Sequence, residues 1–435
     1  MVPHLTTALT GPLLELEKTF LDKATEIEQW MRVQWQDHLP PFYGSTDLRN
    51  SGFKLAPVDL NLFPGGFNNL NDAFLPLCVQ AAQSAIERLC PDASRLLLIP
   101  ENHTRNQFYL QNVAKLVSIL RLTGLKVRIG SLLPDIVEPT TLELANGSTL
   151  TLEPLVREGG RLGVAGFDPC AVLLNNDLSG GVPAVLQGLE DQWVIPPVHA
   201  GWHSRRKSKH AECYDRVARE FAAAIGIDPW RINPEFGVCG QINFQERTGE
   251  ECLAAQVDAL LGRIREKYRE YEVTDEPFVV VKADAGTYGM GVMTVKDASE
   301  VVGLNRRQRN KMAVVKEGLE VHEVIIQEGV HTFETVDGAV AEPVVYMMDH
   351  YVVGGFYRVH TERGRDENLN APGMHFKPLA FETCCTLPDV AQGPDAPPNR
   401  FYAYGVVARL ALLAASVEIE ETEPAADVAE LAALG

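Results

Sequence analysis

The sequence predicts an α/β protein with an N-terminal parallel α/β lobe followed by lobes built on antiparallel sheets. Three observations point there. Strand, helix and strand patterns follow one another between Arg95 and Leu132, the unit of a parallel sheet. From Glu276 onward the chain changes to consecutive strands joined by short turns. With 435 residues, 46% apolar and 22% charged, it can bury a sizeable core, divided into about three domain-sized units.

Leu13 to Gln36 reads as a helix, because Leu14, Leu16, Phe20, Leu21, Ile27 and Met31 recur near helical spacing. "LRNSGFKLAPVDLNLFPGGFNNLND" then mixes strand-like pieces with turn chemistry. "RLLLIP" is a buried strand, "ENHTRN" a loop, "QFYLQNVAKLVSILRLTG" a helix stopped by Gly124, and "LKVRIGSL" the next strand. "LELANGSTLTLEPL" reads as a hairpin turning at Asn146-Gly147. "CAVLLNNDLSGG" is a further buried strand with a polar end. "AECYDRVAREFAAAIG" and "EECLAAQVDALLGRIREKYREY" read as helices. "VVVKADAGTYGMGVMTV", "LEVHEVIIQEGV", "GAVAEPVVYMMD" and "HYVVGGFYRVH" supply the later strands. The expected organisation is a helix and loop-rich segment over 1–90 that contributes to the active site, an α/β substrate domain over 91–265, a nucleotide domain over 266–415 and an acidic tail over 416–435.

A net charge of −19 argues against nucleic acid or an anionic membrane as the main partner. The N-terminus lacks a cationic targeting segment, and "YAYGVVARLALLAASVEI" is interrupted by Arg409, so a buried helix is expected rather than a membrane span. Eight scattered cysteines form no CxxC pair or zinc-like spacing. A cytoplasmic protein with free thiols is expected, with adjacent Cys384 and Cys385 as a redox-sensitive alternative.

The hairpin at Val279–Val295 places Lys282 near the end of its first strand, before Gly286, Gly289 and Gly291. A Walker A loop needs its lysine after the glycines, and a dinucleotide fingerprint needs a helix after them. Here neither holds. Glycines let backbone N–H groups approach polyphosphate, and a strand lysine adds a point charge. A plain hairpin with permissive turn glycines is the alternative. The later strand ends at Gln327, Glu328 and Val330, which could offer main-chain groups to an adenine edge and a carboxylate to a ribose. Arg358 closes another strand, with Asn368, Asn370 and Gly373 just beyond.

This succession, from about Lys267 to Gly373, resembles the ATP-grasp superfamily of carboxylate–amine ligases. With "GFKLAPVDLNLFPGGFNNL", "LLNNDLSGG", "HAGWHSRRKSKH" and "KADAGTYGMGVM", most of the chain resembles the proteobacterial glutamate–cysteine ligases of the Acidithiobacillus type. The resemblance implies an ATP-grasp-like fold, ATP and Mg²⁺ as cofactors, and L-glutamate and L-cysteine as substrates. It implies Lys282 and Arg358 as phosphate clamps with Asn370 beside them, and Gly286, Thr287, Tyr288, Gly289 and Gly291 as a lid. Lys267 would be a second nucleotide lysine. A glutathione synthetase, or a nucleotide-binding regulatory protein, is the alternative.

Arg205, Lys207 and His210 stand before or at the start of a helix, where anions are attracted. Asn102 and Arg105, and Asn176 and Asp177, follow two parallel strands at the ends where ligands bind. These seven residues are the expected substrate contacts, with a solvated turn or local capping as the alternative. ATP-grasp enzymes usually carry magnesium ligands on a late strand, as an acid-x-Asn before Pro-Gly. No such pattern follows Asn370, yet "VDLNLFPGG" reproduces it with Asp59 and Asn61. A circular permutation that moves this strand to the front is one reading, with Asp59, Asn61 and Asn368 as metal ligands. In the other, this segment binds glutamate and Asp349 or Glu367 holds the metal.

Overall fold

The structure is a computed structural model that describes residues 5–6, 12–189, 191–285, 290–314, 320–379 and 400–424. Gly286, Thr287, Tyr288, Gly289, Cys384 and Cys385 lie outside the described residues. The described cysteines are all free thiols.

The described residues form three sheets. The first is parallel at its centre: Trp193–Ile195, Ala171–Asn175, Arg95–Pro100, Lys126–Ser131 and Thr149–Glu158 lie side by side, with Thr140–Glu143 antiparallel at the edge. Arg95–Pro100 and Ala171–Asn175 read as continuous apolar runs because they are central and buried on both faces. The helix Gln107–Leu122 crosses between its strands and starts at Asn106, whose side chain accepts from the Tyr109 amide.

The second sheet is small and antiparallel, in the order Phe236–Cys239, Val324–Glu328, Val279–Ala283, Val292–Val295. The third is large and antiparallel. Ala339–Met348 pairs with Tyr351–His360 on one side and with Tyr43–Asn50 on the other. Leu55–Asn61 extends the same sheet beyond Tyr43–Asn50.

Several boundaries differ from the sequence expectation. The first helix is two, Pro12–Asp22 and Ala24–Asp37, because Lys23 leaves helical geometry. Within the expected 1–90 segment, residues 43–61 are strands that complete the large sheet. Phe236–Cys239 joins the small sheet from the helical region before it. The helix Arg400–Glu421 runs through the expected boundary at 416.

That last helix is core. It is long and apolar enough to cross a membrane, yet 89% of its most apolar stretch is buried inside the protein. It packs on the helix Lys207–Ile225 and on both strands Tyr43–Asn50 and Leu55–Asn61. Its arginine is accommodated in pairs: Arg409 donates to Glu28 Oε1 and Oε2, each at 2.8 Å. Burying a lone guanidinium is far costlier than burying a paired one.

Candidate active site

Strand alternation builds the site. In Val279–Ala283, Val279, Val281 and Ala283 point into the core of the small lobe, so Val280 and Lys282 face outward. They look across a cleft at the large sheet. There Leu48, Leu60 and Tyr357 turn into the core beneath, leaving Asp47, Arg49, Asp59, Glu342 and Arg358 on the cleft side. Two antiparallel sheets holding a cleft between them is the ATP-grasp-like arrangement that the resemblance implies.

Lys282 spans the cleft. Its Nζ donates to Val58 O at 2.6 Å on the large sheet and to Gln327 Oε1 at 2.7 Å on its own. Burial pushes its ammonium down and Asp59 opposes that, leaving it at about 8. Asp59 receives Lys207 Nζ at 2.8 Å. Burial in the cleft raises its carboxyl, but Lys207 and Lys282 outweigh this and bring it down to about 2.

Arg358 is held by two acids, Asp47 Oδ2 at 2.7 Å and Glu342 Oε1 at 2.6 Å. Arg49 takes the other Glu342 oxygen at 2.9 Å. Burial raises the Asp47 carboxyl; Arg358 offsets this in part, and Glu342 adds to it. Four residues, Asp47, Asp59, Arg358 and Asn370, border both this cleft and a second, larger chamber. The second chamber lies between the large sheet and the carboxyl ends of the parallel strands, and Glu101, Asp177 and Tyr346 line it.

The sequence-predicted residues divide. Lys282, Gln327, Val330, Asp59, Asn61, Arg358, Asn368, Asn370, Lys207 and Asp177 line these chambers, and Gly291 stands between the lining residues Met290 and Val292. Others are corrected. Lys267 is tied to Asp228 at 2.7 Å and Glu270 at 2.9 Å on its helix and does not line the cleft. Glu328 is fully buried, its carboxylate taken by Lys54 at 2.6 Å, Trp230 Nε1 at 3.1 Å and the Glu235 amide at 2.9 Å. Its carboxylate is thus committed to buried partners, although Glu328 still borders the cleft.

Arg205 and His210 are occupied as well. Both side chains meet Glu418 of the last helix, at 2.8 Å and 2.9 Å, and Arg205 also donates to Leu60 O at 3.1 Å. Arg205 thereby holds the strand carrying Asp59, and both residues line a small pocket with Lys207, Asp59 and Lys282. Asn102 and Arg105 are exposed and line none of the described chambers, whereas their neighbour Glu101 does. Asn176 caps its own loop, accepting from the Leu178 amide at 3.0 Å. Asn61 and Asn368 turn their amide oxygens back onto the Phe63 and Asn370 amides, each at 2.9 Å. Asp349, the rival metal carboxylate, pairs with Arg88 at 2.6 Å away from the cleft; Glu367 borders the cleft but pairs with Arg363 at 2.8 Å.

Sequence reasoning missed Asp47, Arg49, Glu342 and Glu101. A signal existed in "STDLRN": Asp47 and Arg49 stand two apart, on one strand face.

The family model for glutamate-cysteine ligase (GshA) matches residues 17–419. The chain belongs to the glutamate–cysteine ligase family. It is thereby an ATP-dependent ligase. A proposed gamma-glutamylcysteine synthetase from Methylobacillus flagellatus KT, known from its crystal structure, is 68% identical, with a TM-score of 0.89 over 97% of this chain and 100% of that one. D-alanyl-alanine synthetase A from Vibrio cholerae is 10% identical, at a TM-score of 0.32 over 73% of this chain and 81% of that one. A glutathione synthetase-like effector from Globodera pallida is 9% identical, at 0.35 over 86% and 84%. Among curated proteins no relative is matched.

Proposed function

We propose that this chain forms γ-glutamylcysteine from ATP, L-glutamate and L-cysteine through a γ-glutamyl phosphate, the first step of glutathione biosynthesis, in the cytoplasm. The observation that carries the reading is the junction of the two chambers. Arg358 on one wall and Lys282 on the other flank Asp47 and Asp59, at the line where a nucleotide-side cleft opens into a second chamber. Family membership and the name of the 68% identical relative support the choice of substrates.

A carboxylate is a poor electrophile. One oxygen of the γ-carboxylate attacks the terminal phosphorus of ATP, and ADP leaves. The cysteine nitrogen then attacks the acyl carbon and loses a proton, and phosphate departs. Lys282 offers its charge to the phosphate oxygens from the small sheet. Arg358, fixed by Asp47 and Glu342, offers a preorganised guanidinium from the large one. Because the acids already orient it, little reorganisation is left for the moment of reaction.

Magnesium belongs to this reading. The donors at the junction are hard oxygens: the Asp47 and Asp59 carboxylates and the Asn370 amide. Among the described residues no three acids, histidines or cysteines form a closed metal cluster. Magnesium needs only one or two carboxylates beside substrate phosphates, so the set fits. Bound there, it would draw charge off the transferring phosphoryl group. The position of Leu55–Asn61 in the large sheet, with Asp59 at the cleft, supports the permuted reading.

ADP release measured across pairs of amino acids tests the function. Release should require glutamate and cysteine together. Equal release with γ-glutamylcysteine and glycine would instead identify a glutathione synthetase.

A further inference from the structure

The two chambers differ in their charged linings. Arg358 is the one cationic side chain among the described residues around the larger chamber, against the carboxylates of Asp47, Asp59, Glu101 and Asp177. Glu101 and Asp177 border this chamber and not the nucleotide-side cleft. They stand at adjacent strand ends: Arg95–Pro100 and Ala171–Asn175 are parallel neighbours, with Pro100 opposite Asn175. Ligands in open α/β sheets bind at such carboxyl ends.

Their carboxylates are oriented. The Asp177 amide donates to Glu101 Oε1 at 2.9 Å, and the Ser179 amide donates to Asp177 Oδ1 at 3.0 Å. The Glu101 amide itself donates to Tyr109 Oη at 2.8 Å. A chamber with a guanidinium at its junction end and two carboxylates elsewhere suits a ligand with a carboxylate at one end and a positive charge at the other.

We propose that Glu101 and Asp177 receive the α-ammonium group of glutamate while its side-chain carboxylate lies at Arg358; this rests on the function proposed above. The chemistry decides which amino acid is held. The cysteine nitrogen must reach the acyl carbon unprotonated, at the junction, because an ammonium has no lone pair to attack with. The α-amino group of glutamate takes no part in the reaction and stays protonated. A carboxylate pair set apart from the nucleotide-side cleft therefore serves the acid substrate, not the attacking amine. Amide side chains of Asn61, Asn68 and Asn69 in the same chamber supply donors for the α-carboxylate.

Glutarate provides the test, since it is glutamate without the α-amino group. Wild-type enzyme should discriminate against glutarate by at least about 10²-fold in kcat/KM, as sites built for a polar group do. Glu101→Gln and Asp177→Asn should each raise the KM for glutamate about 10- to 100-fold, the scale of a charged hydrogen bond. The KM values for cysteine and ATP should hold within about 3-fold by the same conversion. The double variant should lose most of its preference for glutamate over glutarate. A rise in the cysteine KM with that of glutamate unchanged overturns the assignment while leaving the function intact. Wild-type enzyme that releases no ADP with glutamate plus cysteine overturns the function itself. If the variants do not fold, thermal melts of wild-type protein decide: glutamate should raise Tm and glutarate should not, and equal shifts overturn the proposal.

Discussion

Asp47 and Asp59 stand directly opposite each other on neighbouring antiparallel strands, in register, at the line where the two chambers meet. Like charges in that position repel. Arg358 answers one and Lys207 the other, so each carboxylate has a cation while both still border the cleft.

Asp47→Asn and Asp59→Asn should therefore raise the Mg²⁺ concentration for half-maximal activity about 10- to 100-fold each, a range typical for weakened metal sites. Glutamate KM should change little in Asp59→Asn, whereas Asp47→Asn also loosens Arg358 and should raise it. A magnesium titration of ADP release checks this, and an unchanged requirement in both variants removes these residues from the metal shell.

Lys282→Ala should lower kcat/KM for ATP by about 10²-fold or more, the scale of a preorganised electrostatic group. The lysine carries its charge below about pH 8 and loses it as pH rises through that value. Wild-type kcat/KM for ATP should accordingly fall above pH 8. In Lys282→Arg that downturn should disappear, since a guanidinium stays charged. A pH–rate profile that keeps the downturn in the arginine variant assigns it to another group.

Glu418→Gln should destabilise the protein by about 3–5 kcal/mol, because Arg205 is left buried without its counter-charge. Burial raises the Glu418 carboxyl, but Arg205 and His210 prevail and hold it at about 2. A depressed carboxylate stabilises the fold above its unfolded value of about 4.3 and loses that contribution as pH falls toward 2. Wild-type Tm should drop across that window, and the variant should drop less there. Chemical denaturation at pH 7 and melts at acid pH measure both effects.

Gly66→Ala should harm both stability and activity. Gly66 has φ +98°, and a Cβ there would stand 2.8 Å from the Tyr346 hydroxyl, in the larger chamber. A strained backbone of this kind costs about 1–3 kcal/mol. Normal glutamate KM in this variant would mean that the chamber wall can move freely.

Much of the fold was legible because it is local. The glycines after a strand-end lysine marked Lys282, and the acid-x-Asn spacing marked Asp59 as a strand residue of interest. The missed residues become a site only through pairings remote in sequence: Arg49 meets Glu342 across 293 positions. The basic turn was legible only in part for the same reason. Its excess of charge was visible, but the partner of Arg205 and His210 lies 208 or more residues away on the last helix. Lys267 had its partners closer, in Glu270 three residues on and Asp228 in a preceding loop, yet the sequence did not rank them above a nucleotide.

The buried final helix has a consequence for how the enzyme comes into being. It is made more than 300 residues after the strands that carry Asp47 and Asp59, yet it forms the floor under them. Those strands must wait, with their apolar faces uncovered, until Arg400–Glu421 has been made. The parallel lobe can collapse while synthesis continues, since its strands and crossover helix are neighbours in sequence. The nucleotide-side cleft cannot. A chain cut short before Arg400 would thus carry nearly every cleft residue and still have no floor to set them on, so premature termination yields aggregation-prone fragments rather than a slow enzyme.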